Sequence, residues 1–586
     1  MARAAAGHAK GCVPRIFRTC AVVVAVVLPL GAPMATAADT CGTPDNQARD
    51  SLQYVEYFLS KPQDVVGCAV KVVDGHVVVQ APTSNAAMTC PDMFAWKLFA
   101  EAVTAEFWRN WAADQETWPG NGLSSDQGRP LPLCAKGQPG PNCCDPDSLS
   151  NPGYDDPTYK AKFCPYFPGD HPAALAGGLP ERIGLPPAIA HTLSFAANPQ
   201  FRAVLLGDAA VLRQMNVAPE QTKGRKIRQS MAEVVFRNKP FVDYVFRNDL
   251  YNQEGIVKTV ERNNNNIKSH APYRLANDGG SRSEIVFPAD AVMIKSNWLS
   301  RDRAEQMGLH DDPANPFIKM NILSPVTDNN GTILEPGEHW LVALHISSKD
   351  IPNWVWATFE HVNNPGRCDY TGCSDSFGYD TPDTVAAGQA RNYTRPHQTC
   401  DNLPLPSWVL SLGDTYPGGV QQPALAQLFA ALRIGIEDNE TLVPRPTDRA
   451  WRSYRLKGSQ VDFTDAMGRP SHLGNSVTEG GFVSTSSCIT CHARAGATAN
   501  GTLPPALGVF ENVITDSGYL PSSFGLPSPN SYNRDGQPPS LQVLQTDFAW
   551  GFLNANSLKP PAAAALARAP GLPNLLRSVR ERLQFQ

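Results

Sequence analysis

Six residues toward the C-terminal end of this 586-residue chain, Ser487-Cys488-Ile489-Thr490-Cys491-His492, constrain it more than any others. Two thiols separated by two residues and followed at once by an imidazole fall within little more than one helical turn, so a short helix presents all three together. C-x-x-C-H is the attachment motif of c-type haem. Each thiol adds to one vinyl group, and the histidine is directed at the iron as proximal ligand. The expected cofactor is one covalent haem c on Cys488 and Cys491, with His492 as metal ligand. A thioredoxin-type C-x-x-C would open a long helix after a strand. Here the polar run Val483-Ser484-Thr485-Ser486-Ser487 precedes the motif instead.

Attachment of c-type haem takes place outside the cytoplasm, and residues 1–37 read independently as a secretory signal. Arg3, Lys10, Arg15 and Arg18 form a positive n-region, Ala21 to Leu30 an apolar h-region, and Ala35-Thr36-Ala37 a small-residue cleavage site before Ala38. The apolar run is far short of the ~20 residues that span a bilayer. The mature chain is therefore expected to carry no integral membrane segment and to be periplasmic or secreted.

Composition supports that compartment. Ten of the 14 cysteines lie outside both leader and motif: Cys41, Cys68, Cys90, Cys134, Cys143, Cys144, Cys164, Cys368, Cys373 and Cys400. An even number in an exported chain predicts disulfides, and their scattered spacing does not suit a zinc or iron–sulfur cluster. The formal charge of −5 gives no basic stripe for phosphates, which argues against a nucleic-acid partner.

The pattern along the chain predicts an α+β fold: a helical layer, an antiparallel β-rich middle portion, disulfide-pinned loops and a mainly helical or irregular haem-bearing C-terminal region. The expected segments after the leader are 38–270, 271–410 and 411–586. Asp74-Gly75 between Val70–Val73 and His76–Val79 marks a β-hairpin. Apolar residues from Met93 to Trp111 recur at helical spacing up to the polar stretch Asp114 to Glu116, and Phe201–Met215 and Met231–Asn248 also read as helices, the last interrupted by Pro240. β-rich runs follow at Glu284–Phe287, Ala291–Ile294, Phe317–Leu323, His339–Ile346 and Trp354–Val362, then an Ala/Leu-rich helix around Ala424–Ile436. No internal repeat supports a multihaem array.

Beyond the motif, the chain resembles the large single-haem bacterial cytochrome c family proteins, most of them functionally uncharacterised. The resemblance rests on Leu473-Gly474-Asn475-Ser476 with Glu479, on Ser486 to His492, and upstream on Ser347-Ser348-Lys349 with Trp354 to His361. It implies a haem cofactor on Cys488, Cys491 and His492 and names no reaction.

From Ala493 to Gln586 there is no Met, His or Cys, so the downstream methionine of compact cytochromes has no counterpart. The distal candidates are upstream: Met467 and His472, then His345, His361 and His397. Lys559 or a tyrosine oxygen is a further possibility, and an open iron position another. An even separation on one strand places His339 and His345 on the same face, with His361 ending the next strand. Trp354 and Trp356 share a face and read as packing.

Two function classes follow. The first is electron transfer through the covalent haem, with a redox partner protein. The alternative is a haem-dependent oxidase, oxygenase or peroxidase with an open or displaceable distal iron site and a small-molecule substrate, which would give a purpose to the roughly 450 residues between Ala38 and the motif. A gas or redox sensor ranks last because no signalling module is attached.

Overall fold

The structure is a computed structural model that describes residues 64–119, 129–152, 163–171, 223–269, 284–322, 336–369, 371–380, 413–439, 441–464, 471–481, 486–499 and 543–559, with short pieces at 326–327, 333–334, 393–394, 483, 501, 533–534 and 540–541. The leader, the helix expected at Phe201–Met215, Cys41, Cys400, Met467 and His397 lie outside these residues.

The first elements follow the sequence pattern. Strands β1 (Ala69–Val73) and β2 (His76–Gln80) form the antiparallel hairpin, turning on Asp74 at φ 51° and Gly75 at φ 81°. Helix α1 (Pro91–Thr104) starts on a proline at its first position, where no amide partner is lost. It ends earlier than the apolar spacing predicts: Glu106 adopts φ 49°, and the chain resumes as separate single turns over Phe107–Asn110 and Asp114–Thr117.

Where one helix was expected from Met231 to Asn248, the chain forms strand β3 (Ala232–Arg237) followed by helix α2 (Lys239–Arg247). Ala-Glu-Val-Val-Phe has a β-branched centre and near-alternating burial, and Pro240 stands in the first turn of α2, capped by Asn238, instead of interrupting a helix. Helix α3 (Gln253–Ser269) follows.

The β-rich middle supplies β4 (Val292–Ser300), β5 (Lys319–Ile322), β6 (Gly337–Ser348) and β7 (Val355–His361), whereas Glu284–Phe287 is extended without pairing as a strand. After helix α4 (Pro423–Ala431), β8 (Tyr454–Gln460) joins the same sheet, so the segment 411–586, expected to be mainly helical or irregular, contributes a strand of its own. The antiparallel order is β8-β7-β6-β4-β3, with β5 along the start of β6.

The two faces of this sheet differ in chemistry. One carries Val234, Phe236, Ile294, Trp298, Leu344, Ile346, Val355, Ala357 and Phe359, all buried in one apolar cluster. α1 covers it, with the ring of Trp96 5.0 Å and that of Phe99 4.8 Å from Phe359. Cross-strand rows on the other face are Lys295, His345 and Thr358, and beside it Met293, Ser347, Trp356 and Gln460. A sheet face with a charged and hydroxylated row calls for a polar partner, and the C-terminal segment provides it.

Among the described residues four disulfides pin the loops: Cys68–Cys90, Cys134–Cys143, Cys144–Cys164 and Cys368–Cys373. Such bonds persist in oxidising compartments. No described helix is long and apolar enough to cross a membrane.

Candidate functional site

Helix α5 (Cys488–His492) is a single turn, too short to hold itself in water, and side chains of the sheet and neighbouring loops fix it. Gln460, the last residue of β8, donates to Ser471 O at 3.0 Å, Ser471 Oγ at 2.7 Å and Ser487 Oγ at 3.1 Å, and its carbonyl accepts Ile489 N at 2.9 Å. One amide side chain thus ties the start of the motif to the sheet edge. Leu473 bridges Ser487, and the intervening chain passes so close that a Cβ on Gly474 would stand 2.4 Å from Ser486 Cβ.

The segment Gly474 to Gly480 docks on the polar face. Asn475 caps its own turn, accepting from Val477 N at 3.0 Å and Thr478 N at 3.1 Å, while Glu479 Oε2 accepts Asn475 N at 2.6 Å. Asn475 Nδ2 donates to Thr358 Oγ1 at 3.0 Å, Thr478 Oγ1 donates to Asn297 Oδ1 at 2.9 Å, and Ser476 N donates to Glu360 Oε1 at 2.7 Å. The residues that carried the family resemblance therefore meet one another in space.

At the motif itself, Cys488 and Cys491 are unpaired, partly buried thiols. Burial pushes Cys491 up to about 11 and Cys488 well above its ordinary value, so both are protonated at neutral pH. His492 Nδ1 lies 2.8 Å from Phe548 O. A carbonyl can only accept, so Nδ1 carries the proton and the lone pair stands on Nε2. Burial first, and the Lys295 and His345 charges after it, lower His492 to about 3, which keeps the imidazole neutral as a metal ligand requires. Its ring rests 4.3 Å from that of Trp356.

The carbonyl that holds His492 is itself positioned. Asp547 and Phe548 both adopt left-handed backbone, φ 46° and 67°. Asp547 accepts from Lys349 Nζ at 2.6 Å, Trp354 Nε1 at 3.3 Å and Phe287 N at 2.7 Å, which fixes the turn against the β6–β7 connection. Ligating histidines are commonly oriented by such an outer hydrogen bond. Sequence reasoning missed Asp547, Phe548 and Gln460 because their contacts are distant in sequence and one of them is a main-chain oxygen.

The distal candidates separate. His345 is on the site face, its Nε2 3.4 Å from Glu479 Oε1. Burial alone would raise the Glu479 carboxyl, but His345 and Lys295 overrule it and hold it at about 2. Lys295 in turn pairs with Glu233 at 3.1 Å. His339 does not share that face, contrary to the even spacing. A β-bulge sets Trp298 opposite Leu341 and Asn297 opposite Ala343, so Val342 is an extra residue and the alternation reverses between the two histidines.

His361 is structural: its ring stacks on Phe317 at 3.5 Å, Nε2 lies 3.2 Å from Pro316 O, and Nδ1 accepts Asn363 N at 3.2 Å. It also lies on the apolar face, about 16 Å along β7 from Trp356 by strand rise. His472 adjoins Leu473 and is partly buried. Met293, absent from the sequence candidates, lies on the site face and in the same buried cluster as Trp356, Leu473 and Ile489.

No family profile, curated protein or solved structure matches the chain. Its chemistry is thus read from the site alone. Among the described residues no group of three or more His, Cys, Asp or Glu side chains is arranged to hold a bare metal ion. Two unpaired thiols one helical turn apart beside an imidazole whose Nδ1 is held by a carbonyl are the residue types that a covalently attached porphyrin would need.

Proposed function

We propose that this chain is an exported, single-haem c-type cytochrome that transfers electrons through a haem held by Cys488, Cys491 and His492, periplasmic or secreted, with a redox protein as its partner. The observation that carries the reading is the hydrogen bond from His492 Nδ1 to Phe548 O, which fixes the tautomer with Nε2 free beside two unpaired thiols. In attachment, each thiol S–H adds across a vinyl C=C, sulfur to one carbon and hydrogen to the other, so no oxidant is needed. Bound there, haem supplies a one-electron iron couple. The chain's own part is to orient the imidazole, exclude water and keep charge nearby: Lys295 stays cationic because Glu233 and Glu479 outweigh its burial.

The electron-transfer reading is favoured over the oxidase, oxygenase or peroxidase alternative by the rigidity of this arrangement. Gln460 bonds the motif directly at Ser487 and Ile489, and Asn475 and Asp547, with at least three hydrogen bonds each, fix the turns packed around it, a setting that changes little on reduction. The test is acid–organic extraction of protein produced with a c-type haem maturation system. Colour retained on the denatured chain supports the reading, and loss of all haem to the solvent ends it.

A further inference from the structure

Two cross-strand neighbours on the sheet meet the two ends of the motif helix. Trp356 on β7 stands opposite Gln460 on β8. Gln460 holds Ser487 and Ile489 at the start of α5, and the indole of Trp356 rests on His492 at its end. On the covalent-haem reading above, we infer that Trp356 is a positioning residue that sets the plane of the His492 imidazole about its bond to iron.

The hydrogen bond to Phe548 O does not fix that plane by itself. It places Nδ1, but the outer torsion of a histidine side chain is broad, and a hydrogen bond tolerates tens of degrees of misalignment before it weakens steeply. A flat group against the ring supplies the missing constraint. The centroids of the indole and imidazole are 4.3 Å apart with their planes at 40°, which brings ring atoms into van der Waals contact and blocks rotation on that side.

Trp356 is itself held in place. It is buried, its Nε1 donates to Asn353 O at 2.9 Å, and the rings of Phe548 and Trp354 stand 6.1 and 6.3 Å from its own. The backbone around it is strained. Trp354, Asp547 and Phe548 are three of the seven non-glycine residues with positive φ among the described residues, and Trp354 Nε1 donates to Asp547 Oδ1 at 3.3 Å. Strain of this kind persists only where the surroundings enforce it, and it gathers at sites whose geometry matters. Here it places a carbonyl on one part of the imidazole and an indole on another.

The imidazole π orbital lies perpendicular to the ring, so the ring's orientation sets how the iron d orbitals split. That splitting is read in the magnetic anisotropy of ferric iron. Trp298 supplies a control, because it is as deeply buried but belongs to the apolar cluster on the opposite face of the sheet.

The experiment uses the full-length haem-loaded protein, with acid–organic extraction run first so that failure of covalent attachment is seen separately. Loss of haem to the solvent ends the haem reading and this inference with it. Trp356→Leu removes the flat face, Trp356→Phe keeps a smaller one, and Trp298→Leu removes an indole elsewhere. Proton NMR of the ferric cyanide adducts records the haem methyl shifts. Cyanide is axially symmetric, so their pattern reports the His492 plane. Electron paramagnetic resonance of the ferric protein without added ligand reads the same splitting and does not require cyanide to bind.

The native protein is expected to give one sharp set of methyl shifts and narrow g features. Trp356→Leu is expected to reorder or multiply the methyl shifts and broaden the g features, and Trp356→Phe to move them the same way by less. Trp298→Leu is expected to lower the melting temperature yet keep the native pattern. Native methyl shifts and g values in Trp356→Leu overturn the inference. Equal spectral changes in Trp356→Leu and Trp298→Leu also overturn it, because they mark a general loss of packing. If Trp356→Leu does not fold, Trp356→Phe decides: an unchanged pattern overturns the inference and a displaced one supports it.

Discussion

Replacement of Asp547 by Ala probes how His492 is held. Asp547 and Lys349 form a 2.6 Å pair whose side chains are only 7% and 10% exposed, and the same carboxylate accepts Trp354 Nε1 and Phe287 N. Removing one partner of a buried pair leaves the other charge uncompensated, which costs about 3–5 kcal/mol. Lys349 lies near the edge of the buried region and also donates to Pro352 O, so the lower end, about 3 kcal/mol, is expected. Two refinements make the number specific. Asp547→Gly should lose about 1 kcal/mol less than Asp547→Ala, because glycine adopts φ 46° without the Cβ penalty. Adding Lys349→Met to Asp547→Ala should recover part of the loss, since no lone ammonium is then buried. Urea unfolding of the three variants and the native protein measures this. A loss below about 1 kcal/mol, or a double variant no more stable than Asp547→Ala, would refute the account of how Phe548 is presented to His492.

Other expectations concern charge, cross-links and the motif. Burial first and the Asp92 carboxylate second push Asp64 up to about 8 and Asp375 to about 7. The folded chain thus holds protons that unfolded carboxyls release near pH 4, so this cluster's contribution to stability falls as pH rises from about 4 to about 8. Asp64→Asn keeps an acceptor for Asp92 N and Met93 N and should flatten that fall; unchanged melting temperatures across the range would count against it. Thiol titration of denatured, unreduced protein should find Cys68, Cys90, Cys134, Cys143, Cys144, Cys164, Cys368 and Cys373 unreactive, and free thiols at most of them would contradict the pairing. His492→Ala should leave haem attached through Cys488 and Cys491 while its absorption spectrum changes; an unaltered spectrum would remove His492 from the iron.

Local chemistry was legible in the sequence and long-range chemistry was not. Asp74-Gly75 dictates its hairpin because only a few residues tolerate positive φ, and β6 and β7 announce themselves by β-branched and aromatic content. The motif carries its own single helical turn. Three features defeated a reading by period. Pro240 looks like a helix breaker until Asn238 is seen to cap α2 just ahead of it. The bulge at Val342 reverses the faces of His339 and His345, and nothing in the strand's composition marks it. Gln460 and Asp547 act on the motif across 29 and 55 or more residues of chain, through contacts that only the folded sheet creates. Glu479 was visible as part of a resemblance, but its partner His345 lies on a different strand.

The most direct test of the central claim is the mass of the proteolytic peptide that contains Cys488 and Cys491. Protein matured with haem should yield this peptide carrying one haem through two thioether bonds, stable to thiol reductants, with the adduct reduced to one bond in Cys488→Ser or Cys491→Ser. An unmodified peptide, or a Cys488–Cys491 disulfide that opens on reduction, would contradict it.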